Sequence, residues 1–176
     1  VTQRHIHVEV PRQIQRDYQG DEERPLGGYL AALGGYAGGV GLLAGLAAVR
    51  RKRLPERFSL GDVALLSIAT HKLSRLISKD AVLSPLRAPF TRYQEPAGDG
   101  ELNEEVRGEG ARHAIGELLT CPFCMAMWIS TALTGGMILA PRLARTVEVV
   151  MTAVAASDLL QLVYDAAKHL PSLAED

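Results

Sequence analysis

The feature that most limits what this chain can become is where its charges are missing. Pro25 to Val49 contains no Asp, Glu, Lys or Arg, and neither does Leu118 to Pro141. A helix rises about 1.5 Å per residue, so each run is long enough to cross the ~30 Å of hydrocarbon in a bilayer. Averages hide this, because 176 residues with 22% charged side chains and a net charge of -1 describe an ordinary one-domain soluble protein equally well. Aromatic residues make up only 5%, which is little for a water-soluble core. Lipid is therefore the expected solvent around both runs.

The first run carries small residues at helical spacing. Gly34 with Gly38, Gly35 with Gly39, and Gly41 with Gly45 each make a small-xxx-small pair, the pattern that lets two helix backbones approach closely in lipid. The Leu, Val, Tyr and Ala between them favour a packed spanning helix over a merely flexible glycine-rich stretch. The run stops at Arg50-Arg51-Lys52-Arg53, a cluster that resists crossing. A third apolar segment, Val147 to Ala167, is interrupted only by Glu148, Asp158 and Asp165. Pro141 to Arg145 reads as a tight turn before it, which makes the last two segments an antiparallel pair.

Leu60 to Ile77 is more ambiguous. Ser59 is a plausible N-cap, and Leu66, Ala69, Leu73 and Leu76 share one stripe while Lys72, Arg75 and Lys79 share another. Only Val63 to Thr70 is free of ionisable groups, so this helix either lies along the interface or dips in while its basic half snorkels to the headgroups. The expected fold is all-α: a polytopic helical membrane protein with three spanning helices plus one interfacial or partly embedded amphipathic helix, multi-pass in the cell membrane. Along the chain this gives a polar tail at 1–24, a glycine-rich transmembrane helix at 25–49, a basic linker at 50–59, a membrane core at 60–167 and a polar tail at 168–176. Within the core, 81–116 is expected to be an aqueous loop, with Pro96-Ala-Gly-Asp-Gly the part least expected to hold a fixed structure. No apolar stretch with a cleavage site opens the chain, so a removed secretory signal is not expected.

Orientation depends on the ambiguous helix. If it does not cross, twelve Lys and Arg between Arg50 and Arg112 join Lys168 on the cytoplasmic side. If it does, the Arg50 to Arg57 linker and the Arg142 turn face in and the acidic loop faces out. The count slightly favours the first arrangement.

Two places could carry chemistry. Cys121-Pro-Phe-Cys124 stands at a helix start, where the helix N-terminus favours a thiolate and makes disulfide exchange possible. With His113 the two cysteines offer three metal ligands at most, one short of a structural zinc site. The plainer reading is that small polarizable cysteines pack where helices meet. Asp158, near the middle of an apolar segment, costs about 3 kcal/mol or more unless it is paired or protonated. His71, Lys72 or Arg75 could pair with it, either as a register-fixing contact or, with His71, as a proton relay. Arg87-Ala-Pro-Phe90 and Lys79-Asp80 read as interface anchors for anionic headgroups.

The run His71-Lys-Leu-Ser-Arg-Leu-Ile-Ser-Lys-Asp80, then Pro85-Leu-Arg-Ala-Pro-Phe90, then Gly116-Glu-Leu-Leu-Thr-Cys-Pro-Phe-Cys124 with Trp128, resembles the bacterial membrane proteins of the domain of unknown function 1360 family, which include a sporulation-associated member. The likeness covers about residues 60–167 and implies architecture and location rather than chemistry. It also implies that the amphipathic helix is membrane-embedded. The leading functional expectation is a non-enzymatic membrane protein that packs against other membrane proteins or a second copy of itself; the alternative is a membrane thiol-redox or metal-binding protein using Cys121 and Cys124. No cofactor is expected. Lipid is the expected partner and nucleic acid is not, since 19 Lys and Arg against 20 Asp and Glu leave no excess to neutralise phosphates.

Overall fold

A computed structural model describes residues 11–19 and 24–169. Most of the tails expected at 1–24 and 168–176 lie outside the described residues; within the first, Arg12–Gln19 forms a short helix, α1. The long helices begin and end for local reasons. α2, Leu26–Val49, follows Pro25, whose fixed φ suits a helix entry. It closes where Arg51 takes a left-handed φ of 50° and the N–H groups of Arg51 and Lys52 donate back to Ala48 and Ala47. α3, Leu60–Lys79, opens with a reciprocal capping box between Ser59 and Asp62. α6, Pro122–Leu139, has Pro at its first position, where the missing N–H costs nothing. α7, Pro141–His169, follows after the single non-helical residue Ala140, so the expected turn at Pro141 to Arg145 is instead the first turn of the helix.

α2, α6 and α7 are long and apolar enough to cross a membrane. α2 runs parallel to α6, since the Tyr36 and Thr131 hydroxyls meet at 2.8 Å and, nearer the C-terminal ends, Gly135 leaves room for the Leu43 methyls. α3 runs parallel to α7: the Asp62–Arg145 ion pair joins their first turns, Thr152 donates to the Leu65 carbonyl at 3.4 Å, and Lys72 reaches Asp158 at 2.6 Å. The shared core is small, with Ala69, Ile129 and Leu133 at its centre and Leu66, Leu73, Met125 and Met151 around it. α3 is thus not an isolated surface helix; it lies against α6 and α7 along its length.

The chain between α3 and α6 corrects two expectations. The fold is not all-α, because residues expected to form an aqueous loop build an antiparallel hairpin of β1, Thr91–Gly98, and β2, Glu101–Val106. Asp99-Gly100 makes its two-residue turn, flanked by Gly98 at φ 145°, with Gly100 at φ 76°, conformations that an L side chain resists. Pro96 fits because the register slips beside it, where a bulge tolerates a missing N–H. A 3-10 turn, Ala81–Leu83, and the one-turn α4, Ser84–Arg87, lead into the hairpin, and α5, Gly110–Thr120, leads out. Gly28 lets α2 touch α5: a Cβ there would sit 2.7 Å from the Gly110 carbonyl oxygen.

The second correction concerns Arg87. It is not a headgroup anchor, because its side chain is 0% exposed and its partner Glu104 only 5%. Its Nε and Nη2 donate to the two Glu104 carboxylate oxygens at 2.8 and 3.0 Å, its Nη1 donates to the Ile77 carbonyl at 2.8 Å and Nη2 also to that of Asp80 at 2.9 Å. Thr91 adds a hydroxyl to the same carboxylate at 2.9 Å. One guanidinium therefore satisfies orphan carbonyls at the end of α3 and holds the hairpin base there. Removing one member of a buried pair leaves the other charge stranded, at about 3–5 kcal/mol. Arg87→Ala is expected to abolish hydrogen-exchange protection of the 91–106 amides while leaving that of α6 and α7. Retained hairpin protection would contradict the clamp.

Candidate functional site

Two sites emerge on the hairpin side of the helix bundle. The first is a polar cleft of about 600 Å³ between α3, α7 and the hairpin turn. Lys72, on the basic stripe of α3, donates to Asp158 Oδ2 at 2.6 Å. Arg75 does not reach Asp158; its Nε and Nη2 instead grip Glu101 of β2 at 3.0 and 2.5 Å. His71 lines the same cleft, but it is Lys72 that bonds Asp158, so the relay considered for His71 and Asp158 has no direct contact behind it. Lys72 and Arg75 each have a counter-charge, and the two pairs tie α7 and the hairpin to α3.

The second site surrounds the cysteines. Cys121 is the N-cap of α6, and the Cys124 backbone N–H donates to its sulfur at 3.2 Å, as a residue placed before a helix start should allow. Both cysteines are free thiols, Cys121 half-buried and Cys124 exposed. His113 does not join them. It lies in α5 facing Glu117, 3.6 Å from its carboxylate, with its Nδ1 3.2 Å from the Gly108 carbonyl oxygen. Among the described residues no group of three or more His, Cys, Asp or Glu is placed to hold a metal ion. Glu117, which spacing did not single out, is the centre of this corner: Tyr29 donates to it at 2.6 Å and Arg24 at 2.9 Å, tying the entry of α2 to α5. Contacts separated by 88 and 93 positions leave no local signal in a sequence.

The glycines of α2 divide into two sets. Gly35 faces the ring of Trp128, whereas a Cβ at Gly34, Gly38, Gly39, Gly41 or Gly45 would meet nothing within 4 Å. At the opposite end of the bundle a third charged group was also missed. Glu148 is wholly buried beside Arg145, 3.4 Å away, and Arg145 in turn holds Asp62. Asp62 lies in the first turn of α3, outside the three apolar helices. Hydrogen bonds from Arg145, and then from Ser59, hold its carboxyl down at about 2 against an ordinary 3.8.

The family described as "Protein of unknown function (DUF1360)" matches residues 65–164, more than half of the chain. That stretch runs from within α3 through the hairpin and the cysteine pair to α7, and leaves α2 outside. The chain is also 38% identical over 69 residues to Sporulation protein YjcA of Bacillus subtilis (strain 168), over 38% of this chain and 58% of that relative. It thus spans about 58% of the length of the curated relative it matches. No solved structure matches.

The pairing of Asp62 with Arg145 makes stability depend on pH. A carboxyl whose folded pKa is depressed contributes stability above its unfolded value and loses it as pH falls through the folded one. In non-ionic detergent the wild-type chain is expected to melt higher than Asp62→Asn at neutral pH. The gap should hold down to about pH 4 and close as pH falls toward about 2, since the carboxyl moves from 3.8 to about 2 on folding. A gap independent of pH across that window would contradict the pairing.

Proposed function

We propose that this chain, which belongs to the family of unknown function DUF1360, is a multi-pass integral membrane protein that works by packing against other membrane proteins. The observation that carries the reading is how little of its apolar surface is hidden. In the most apolar stretch of α2 and of α7 only 6% of residues are buried against the rest of the chain, and in α6 only 11%. Along α2 alone Leu30, Leu33, Val40, Leu42, Leu46 and Val49 stay exposed. In water each would forfeit roughly 1.5–3 kcal/mol of burial; in hydrocarbon none does.

The distribution of charge supports a topology. The linker Arg50-Arg51-Lys52-Arg53 and the α7 start at Arg142 lie at one end of the bundle, and the acidic hairpin lies at the other. On this reading α3, from Val63 onward, crosses together with its two apolar neighbours, and its basic side chains are tolerated because Lys72 and Arg75 are paired near the hairpin face. Short basic loops stay cytoplasmic, so the linker faces in and the hairpin faces out. This is the arrangement that simple counting of Lys and Arg disfavours.

α2 supplies the docking surface. Its open glycines form a shallow stripe on which a neighbouring transmembrane helix, from another protein or a second copy, can approach to backbone contact. Cross-linking in native membranes is expected to trap the wild-type chain with a neighbouring membrane protein, and replacing Gly38 or Gly41 by Leu is expected to remove that species while leaving thermal stability in detergent unchanged. Gly28→Ala, with the Gly110 carbonyl oxygen 2.7 Å from the new Cβ, should lower stability instead. Unchanged cross-linking in both leucine variants would overturn the docking surface.

A further inference from the structure

The thiol pair has a neighbour that helix packing does not explain. Cys121 and Cys124 both line a cavity of about 660 Å³ between α2, α5 and α6, within the roughly 300–1,000 Å³ of small-molecule and cofactor sites. Its walls are mainly aromatic and apolar, with Tyr29, Tyr36 and Trp128 among them; the Tyr36 and Trp128 rings stand edge to face at 5.3 Å. Leu33, Phe123 and Met127 line it and are also exposed outward, so its mouth opens between two membrane-length helices, toward the surrounding lipid. The Glu117 carboxylate and the Tyr29 hydroxyl bonded to it at 2.6 Å give the wall one polar corner.

An occupant of this cavity has to be lipophilic enough to enter from the bilayer, flat enough to lie among aromatic rings, and polar at its edge. A dithiol beside it can give up two electrons and two protons as it closes to a disulfide. We propose that the cavity takes a membrane quinone and that the Cys121–Cys124 dithiol reduces it. Cys121 is the attacking sulfur, because the Cys124 N–H at the helix start donates to it. Its thiolate adds to a ring carbon, forming an S–C bond and moving an electron pair onto a ring oxygen. Cys124 sulfur then attacks the Cys121 sulfur; the S–S bond forms, the S–C bond breaks, and that pair leaves with the ring. The two thiol protons end on the two ring oxygens, so the dithiol is oxidised and the quinone becomes hydroquinone, each by two electrons. This chemistry uses a different face of the molecule from the glycine stripe and stands or falls separately.

The test uses the full chain, purified reduced in non-ionic detergent, with decylubiquinone as the probe. Wild type is expected to consume one quinone and two thiols per chain, and to show saturable quenching of its sole tryptophan, Trp128. Cys124→Ser should release no hydroquinone, because no second thiol is present to resolve the Cys121 adduct. Ala32→Phe, which fills the cavity wall, should abolish saturable quenching and slow thiol loss to quinone by roughly tenfold or more, because the bound encounter is gone. The same variant should still form its disulfide with the water-soluble oxidant diamide at the wild-type rate, which shows that its fold and thiols are intact. Failure of the wild-type chain to reduce decylubiquinone, binding without electron transfer, or equal quinone rates in wild type and a diamide-competent Ala32→Phe would each overturn the proposal.

Discussion

A helix that hides almost none of its apolar surface inside its own protein must find that surface a solvent elsewhere, and on the proposed reading that solvent is lipid. In hydrocarbon there is no hydrophobic gain from bringing helices together, so small residues and polar contacts have to hold them. The bundle is built that way. Gly136 rests against Ala144, Ala69 is fully buried at the α3 contact, and Gly135 admits the Leu43 methyls. Tyr36 with Thr131, Thr152 with the Leu65 carbonyl, and Lys72 with Asp158 supply the polar joins. The core is correspondingly small.

Polar structure is concentrated where the apolar helices end. On one side, Ser59, Asp62, Arg145 and Glu148 bind the starts of α3 and α7. On the other, Arg87 takes up both the carbonyls at the close of α3 and the carboxylate of Glu104, so a hairpin with little core of its own acquires a fixed base. Arg107 and Arg112 reach the Ala88 and Pro89 carbonyls in the same segment. Three arginines thus satisfy backbone oxygens that this connecting segment would otherwise leave without a donor. The polar cleft and the cysteine cavity lie immediately beneath this cap, one on either side of the bundle.

How much of this could be read from the sequence depends on the range of the interaction. The uncharged runs announced α2 and α6, and the Ser59 cap and Pro122 marked helix starts, because those signals act within one turn or accumulate over a window. The hairpin was obscured because Thr91 to Gly98 has no alternation of apolar and polar residues and contains Pro96. Its one local signal, the Asp99-Gly100 dipeptide, was outweighed by the surrounding acidic residues. Arg87 looked like a surface anchor because its partner lies 17 positions away, and the choice of Lys72 over His71 for Asp158 is decided across 86. Pairings at such separations are products of the fold and leave no periodicity to find.

The central claim is that the apolar helices lie in a bilayer with the basic linker and the acidic hairpin on opposite faces. It is tested most directly by single cysteines at Arg53 and Gly98, placed one at a time in a chain whose Cys121 and Cys124 are replaced by Ser, and probed on intact cells with a membrane-impermeant maleimide. The account predicts labelling at Gly98 before permeabilisation and at Arg53 only after it. Identical behaviour of the two positions would contradict it.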